Sequence, residues 1–539
     1  MDLPALILMV VLLPGVLFVF GCLAQTAVGA RPQAKLAVPS AGFALAACAF
    51  MSHVTGLPPP FTYGLVTVAV LAVGSRRLVS GKLTIPFGEM LMYSCFTASC
   101  LVFLGVHRFV SFGGDWIEHG FTVPMSLMAG TTVETIRPCI LGLIYSDFYT
   151  VCSPSCSHYY VVQVLAACLN ANILFMFLSM LGGERRRAVL VACILFCPFV
   201  VYEVVYTWPK FYAVSIAYAA MELLYSGDGT WRKTVAGLIG SAFGVLVHPI
   251  AVFVLVSVPF FMPGGIKLSR KFAIRLGMCV VLAVVLPPVL MRVVGIEVVS
   301  TVAYYPFSDD WKQALDAANS GEPLASYAKA YLARVGVTGM VMSTAVSFVS
   351  LFVPVGGIGR FAFWQNLIFA LGPAAFVLGI VHFVPSASGR RKAQISKVLL
   401  AFAPVVVGLV FSRGLMILQV AGGHWLVVVL AAFACRQLAD IDAELRAKIL
   451  AFSAAWNWLF IARCVFSIHA KAPEWASGLT ANLDSLGVRL PGFSHETPVY
   501  FADLFDYRLT MGFYFLGGIV AAVYALRAGR LQDAESEAV

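Results

Sequence analysis

Charge is what this sequence has least of. Only 12% of its 539 residues are Asp, Glu, Lys or Arg, while 60% are hydrophobic, about half the charge share of a soluble globular domain. An ordinary soluble enzyme is thereby excluded. The apolar stretches also lack the dyad alternation of a membrane β-barrel, and no sequence repeat recurs at a fixed period. What recurs from end to end is an apolar run long enough to carry a helix across a hydrocarbon core of about 30 Å. The expected fold is an all-α polytopic membrane protein of roughly 13 to 15 transmembrane helices, counted at one per run.

Basic residues outnumber acidic ones, 36 to 26, for a formal net charge of +10. They stand in short clusters between apolar runs, at Arg31/Lys35, Arg76/Arg77/Lys82, Arg185 to Arg187, Arg232/Lys233, Lys267 to Arg275, Arg390 to Lys392, Arg446/Lys448 and Arg527/Arg530. Clusters so spaced orient helices by the positive-inside rule, and no nucleic-acid partner is expected. The first span, Leu3 to Ala24, has neither a basic residue ahead of it nor a small-x-small site before a soluble domain; it is expected to stay as a helix rather than be removed. The 13 cysteines lie mostly in apolar spans as small hydrophobes. Only Cys152 and Cys156, in CSPSC, share a loop; they could form a disulfide, while with His158 they are too few for a closed metal site.

With the basic clusters cytoplasmic, helices near 4 to 26, 39 to 56, 60 to 75 and 86 to 106 bring the chain outside at His107. Residues 107 to 157 then form a long external segment, expected to hold short interfacial helices. A helix from near Tyr159 returns to the GERRR cluster. Four short spans follow, meeting outside at TWPK (Thr207 to Lys210) and at HPI (His248 to Ile250). A helix near 276 to 294 leads to a second external segment containing YYPFSDDW. Residues 335 to 355 are read as re-entrant or interfacial, and crossings follow near 364 to 383, 396 to 413, 425 to 437, 449 to 468 and 509 to 527. The regions expected are 1 to 85, extra N-terminal helices; 86 to 440, the core; 441 to 530, C-terminal helices with an external loop; and 531 to 539, an acidic disordered tail.

On this topology the polar residues that orientation leaves unexplained collect on one face, the external one: Asp115, Glu118, His119, Arg137, Asp147, His158, Lys210, His248, Asp309, Asp310, Arg413 and His424. In GGDWIEHG, Asp115 and Glu118 fall on one face of a helix, and adjacent carboxylates can raise one pKa, act as a general base or hold a divalent cation. The same residues equally fit a helix cap with Glu118 at the capping-box position. Lys210 follows Pro209 at a helix start, where the positive helix end and the ammonium together suit a phosphate. Taken alone, Lys210 reads better as a snorkelling lysine beside Trp208, His248 as a packed histidine, and SDDW, with Asp309 and Asp310, as a solvated turn. Arg413 ends one helix in FSRGLMILQVAGGHW, and its fork matches pairs of phosphate oxygens; His424 opens the next.

The order of these motifs resembles the GT-C superfamily of integral-membrane glycosyltransferases, such as protein mannosyltransferases and the aminoarabinose transferases of lipid A. The matching features are GGDWIEH after an outward helix, Arg137/Pro138, Trp208 to Lys210 before a small-residue helix, His248/Pro249 and the late GGHW, over roughly residues 86 to 440. Asp115 is followed by Trp116, where the family motif often has a second acid. The resemblance implies a GT-C-like bundle in a bacterial inner membrane with its site on the periplasmic side. It implies a polyprenyl-phosphate-linked sugar donor and a glycan, lipid or protein acceptor. Asp115 would be the base with Glu118 in support, Lys210, Arg413 and His248 would hold the donor phosphate, and Arg137, Asp309, Asp310 and His424 would line the substrate site. The resemblance fixes no cofactor, and a divalent cation at Asp115 is an option that no ligand spacing indicates. The competing reading is a secondary transporter or a flippase of lipid-linked glycans, which would place its polar residues on broken helices near mid-bilayer.

Overall fold

The computed structural model describes residues 3–28, 30–80, 85–106, 120, 123–130, 133–135, 140–152, 156–181, 200, 203–204, 209–225, 231–257, 270–298 and scattered residues between 374 and 456. These are mostly helical. The elements in chain order are α1 (Leu3–Ala27), α2 (Ala34–Thr55), α3 (Pro59–Val79), α4 (Phe87–Val106), α5 (Val123–Met128), β1 (Val133–Thr135), α6 (Ile140–Cys152), α7 (Cys156–Asn170), α8 (Ile173–Leu181), α9 (Lys210–Tyr225), α10 (Trp231–Val247), α11 (Ala251–Ser257), α12 (Arg270–Val293) and β2 (Ile296–Val298). The two strands pair in parallel, Val133 opposite Ile296, an element that alternation in the sequence does not announce.

Among the described residues three helical stretches are long and apolar enough to cross a membrane: Ala34–Thr55, Val161–Ser179, which runs through the α7–α8 junction, and Phe272–Val293. Exposure agrees with an apolar surrounding. On α12 the residues Ile274, Met278, Val281, Val285 and Val289 are exposed at helical spacing, and on α3 so are Phe61, Leu65, Val68 and Leu71. In water, stripes of that size would carry polar side chains.

The expected helices at 4 to 26, 39 to 56, 60 to 75 and 86 to 106 match α1 to α4, although α2 starts earlier, at Ala34, because Pro39 is accommodated inside it. Of the segment from 107 to 157, expected to hold short helices, the described residues form the short helices α5 and α6, largely buried against the rest of the protein. α6 has 13 residues, roughly 20 Å at 1.5 Å per residue, and is too short to cross a bilayer core. The helix expected from Tyr159 begins at Cys156 and is interrupted at Ala171–Asn172. Cys152 is a free thiol.

α1 packs against α2, α3 and α4, and α9 against α10 and α2. Small residues permit the closest approaches, as they do between membrane helices. A Cβ on Gly21 of α1 would lie 1.7 Å from the Ala37 carbonyl oxygen of α2, and one on Gly42 would lie 1.8 Å from the Tyr212 hydroxyl. Phe18, Tyr93 and Phe175 join α1, α4 and α8, with each pair of ring centroids 5.9 Å apart. Tyr93 donates its hydroxyl proton to the Cys168 carbonyl.

α2 and α9 run antiparallel. Lys35 at the start of α2 pairs with Glu222 near the end of α9, 2.5 Å apart, and Arg275 donates to the Leu224 carbonyl at 3.1 Å. Tyr212, near the start of α9, reaches the carbonyls of Val38 and Pro39. Because Gly42 leaves the space that the Tyr212 hydroxyl fills, Gly42→Val is expected to destabilise the fold by about 1–3 kcal/mol through overpacking. A lowered thermal unfolding midpoint in detergent checks this, and an unchanged midpoint contradicts the packing described.

Candidate functional site

A helix start buried in apolar surroundings must find partners for its first amide groups. At α9 the partner comes from another helix. The Asn170 side chain, at the end of α7, accepts from the Tyr212 amide at 3.1 Å through Oδ1, and donates through Nδ2 to the carbonyls of Glu203 at 3.2 Å and Val204 at 3.5 Å. One asparagine thus ties together the α7–α8 break, the Glu203 segment and the start of α9. Asn172, across the break, donates to the Ser215 hydroxyl at 3.0 Å, which in turn donates to the Tyr212 carbonyl at 2.9 Å.

Lys210 is the first residue of α9 and is wholly buried, 0% exposed. The snorkelling expected of it does not occur. Lys210 stands at the Tyr212 end of α9, away from the end where Glu222 pairs with Lys35. The lysine is therefore enclosed by the protein at the start of α9.

His248 sits at the same end of the bundle. α10 runs antiparallel to α9, with Phe243 edge-on to Tyr212 at 6.2 Å between centroids, and Gly244 so close that a Cβ there would meet the Ala213 carbonyl at 3.5 Å. His248 follows directly where α10 stops. Pro249 cannot continue the hydrogen-bond ladder, and α11 restarts at Ala251. The His248 Nδ1 accepts from the Ile250 amide at 3.1 Å, so in the neutral ring the proton resides on Nε2 and makes that nitrogen a donor. His248 is wholly buried, as a packed histidine should be.

Glu203, also 0% exposed, completes the group. It is the residue whose carbonyl Asn170 holds. Burying an ammonium and a carboxylate each costs several kcal/mol unless they are compensated nearby. With two asparagines and a histidine at helix breaks beside them, this end of the bundle is polar where the rest of the core is apolar.

The structure therefore brings Lys210 and His248 to one end of an antiparallel helix pair. Asp115, Glu118, Arg137, Asp309, Asp310, Arg413 and His424 lie outside the described residues. From GGDWIEHG only Gly120 is described; it is buried, and its carbonyl accepts the Tyr149 hydroxyl of α6 at 3.1 Å. No family model matches the chain, and neither a curated protein nor a solved structure is similar to it.

Glu203, Asn170 and Asn172 escaped the sequence reading, though each left a trace. Glu203 and Lys210 are the sole charged residues from Ala188 to Met221, and LNAN places two amides in the middle of a span. Polar groups within an apolar run are by themselves pointers to function. Among the described residues no group of three or more His, Cys, Asp or Glu side chains could hold a metal ion.

Proposed function

We propose that this chain is a membrane glycosyltransferase that moves a sugar from a polyprenyl-phosphate donor to a glycan, lipid or protein acceptor on the outer face of a bacterial inner membrane. The observation that carries the reading is the burial of Lys210 at a helix start, beside the end of α10 where His248 stands. An ammonium, the positive end of a helix and an imidazole N–H form a site for a phosphate. Its burial between helices suits a phosphate whose lipid stays between helices while its sugar is reached from outside. The positive-inside rule makes the Lys35 end cytoplasmic and the Thr55 end external.

In the step proposed, Asp115 takes the proton of the acceptor hydroxyl or amine, and the acceptor atom bonds to the anomeric carbon. The bond from that carbon to the phosphate oxygen breaks, and the polyprenyl phosphate leaves with the electron pair, its charge held by Lys210, Arg413 and His248. A single displacement inverts the anomeric centre. Glu118 supports the base or holds a divalent cation, and Arg137, Asp309, Asp310 and His424 contact the substrates.

A second reading, a secondary transporter or flippase, is favoured by one observation: the buried polar residues stand at helix breaks, Asn170–Asn172 and His248–Ile250, as they do where transporters hold substrate. The two readings separate by product. Mass spectrometry of envelope glycans from cells with and without the protein is expected to show a discrete mass loss of one sugar residue at the acceptor. A transporter or flippase would instead leave the linkage chemistry intact and change only the amount of whole glycan.

A further inference from the structure

A second polar cluster lies away from Lys210, where α6 packs on the α2–α3 hairpin. Asp147 of α6 is 4% exposed. Its Oδ1 is 3.5 Å from Nδ1 of His53, and the same nitrogen lies 2.9 Å from the Ala49 carbonyl. The Tyr63 phenol of α3 faces the carboxylate without closing a hydrogen bond of ordinary geometry, and Asp147 Oδ2 is buried with no hydrogen-bond partner among the described residues. Ser52 stands alongside and donates its own hydroxyl to the Leu57 carbonyl at 2.9 Å. A buried, unpartnered carboxylate oxygen is costly when ionised and inexpensive when it carries a proton.

We propose that Asp147, His53 and Tyr63 form a proton-binding site that clamps α6 onto the α2–α3 hairpin. A proton from the medium bonds to Asp147 Oδ2, converting carboxylate to carboxylic acid, while the Tyr63 phenol that faces it favours the charged form and opposes this protonation. His53 keeps its Nδ1 proton on the Ala49 carbonyl and supplies a positive charge when its Nε2 is also protonated. This site does not depend on the transferase reading and would operate in a transporter as well.

Burial pushes the Asp147 carboxyl up to about 6, and the His53 charge pulls in the opposite direction with smaller effect. The other titratable group facing it is the Cys48 thiol of α2. α5 carries no titratable residue. Arg232 and Lys233 stand at the far end of α10, and the side chains at the start of α7 lie outside the described residues. The sign follows from proton counting. The folded chain holds this proton to higher pH than the unfolded chain, whose carboxyl titrates near the ordinary 3.8. The cost of the site is therefore absent below about pH 4 and fully present above about pH 6.

The test is pH-difference infrared spectroscopy of the full chain in lipid nanodiscs, following the protonated-carboxyl C=O stretch. In the wild type a carboxyl band should titrate near pH 6 and be missing in Asp147→Asn. In His53→Gln its midpoint should rise by about one pH unit, because the favourable cation is lost while the burial remains. Tyr63→Phe should also raise it, and these two variants decide the matter if Asp147→Asn fails to fold. An Asp147 band confined to the ordinary carboxylate range near pH 4, or a midpoint unmoved by both His53→Gln and Tyr63→Phe, overturns the proposal.

Discussion

Lys210→Met should lower sugar transfer by about 100- to 1,000-fold while the protein still inserts and purifies normally, the loss expected when one preorganised donor to a developing negative charge is removed. Methionine matches the length and burial of the lysine stem, so α9 keeps its packing, its Asn170 cap and its place against α10. What disappears is the charge. Leaving phosphate gains negative charge only as the glycosidic bond breaks, so the loss should fall on kcat more than on KM. Lys210→Arg should retain part of the activity, since it keeps the charge but presents it on a larger planar fork in place of a compact ammonium. A rise in KM with kcat unchanged would show instead that Lys210 only binds the donor, and full activity would remove it from the site.

Asp115→Asn should reduce transfer by about 100- to 10,000-fold, the range for loss of a general base, with unchanged expression and thermal stability. The substitution is chosen because it separates the two readings of GGDWIEHG. Asparagine caps a helix about as well as aspartate, so a residue that serves only as a cap tolerates it. A base does not, because the amide has no affinity for the acceptor proton. Measured transfer near the wild-type level would assign Asp115 to capping and leave the acceptor proton to another group.

How far the sequence was legible follows from the range of the forces involved. α1 to α4 could be located because a run of about 20 apolar residues between basic clusters is a local signal. Proline did the same for the turns before Lys210 and after His248, since Pro209 favours a helix start and Pro249 breaks one. Burial was not legible. Whether Lys210 snorkels or turns inward is set by how α9 packs against its neighbouring helices rather than by the residues beside it in the chain. Only packing shows that one asparagine serves the α7–α8 break, the Glu203 segment and the α9 start together. Asp147 could be placed on the same face as the other polar residues, but its partner His53 belongs to a helix whose own sequence reads as an ordinary span. The parallel β1–β2 pair is likewise non-local, three residues long on each side, and too short for any periodicity to register. The acidic and basic residues of the segments expected to be external, Asp115 and Arg413 foremost, rest on motif order alone.

The most direct test of the central claim is reconstitution. The purified protein in sealed lipid vesicles, supplied with a radiolabelled polyprenyl-phosphate sugar and an extract of envelope acceptors, should transfer label covalently to an acceptor and release unlabelled polyprenyl phosphate. Lys210→Met and Asp115→Asn proteins should each transfer at least about 100-fold more slowly. Movement of intact labelled donor across the bilayer, with no covalent transfer and no released polyprenyl phosphate, would contradict the account and establish the transport reading in its place.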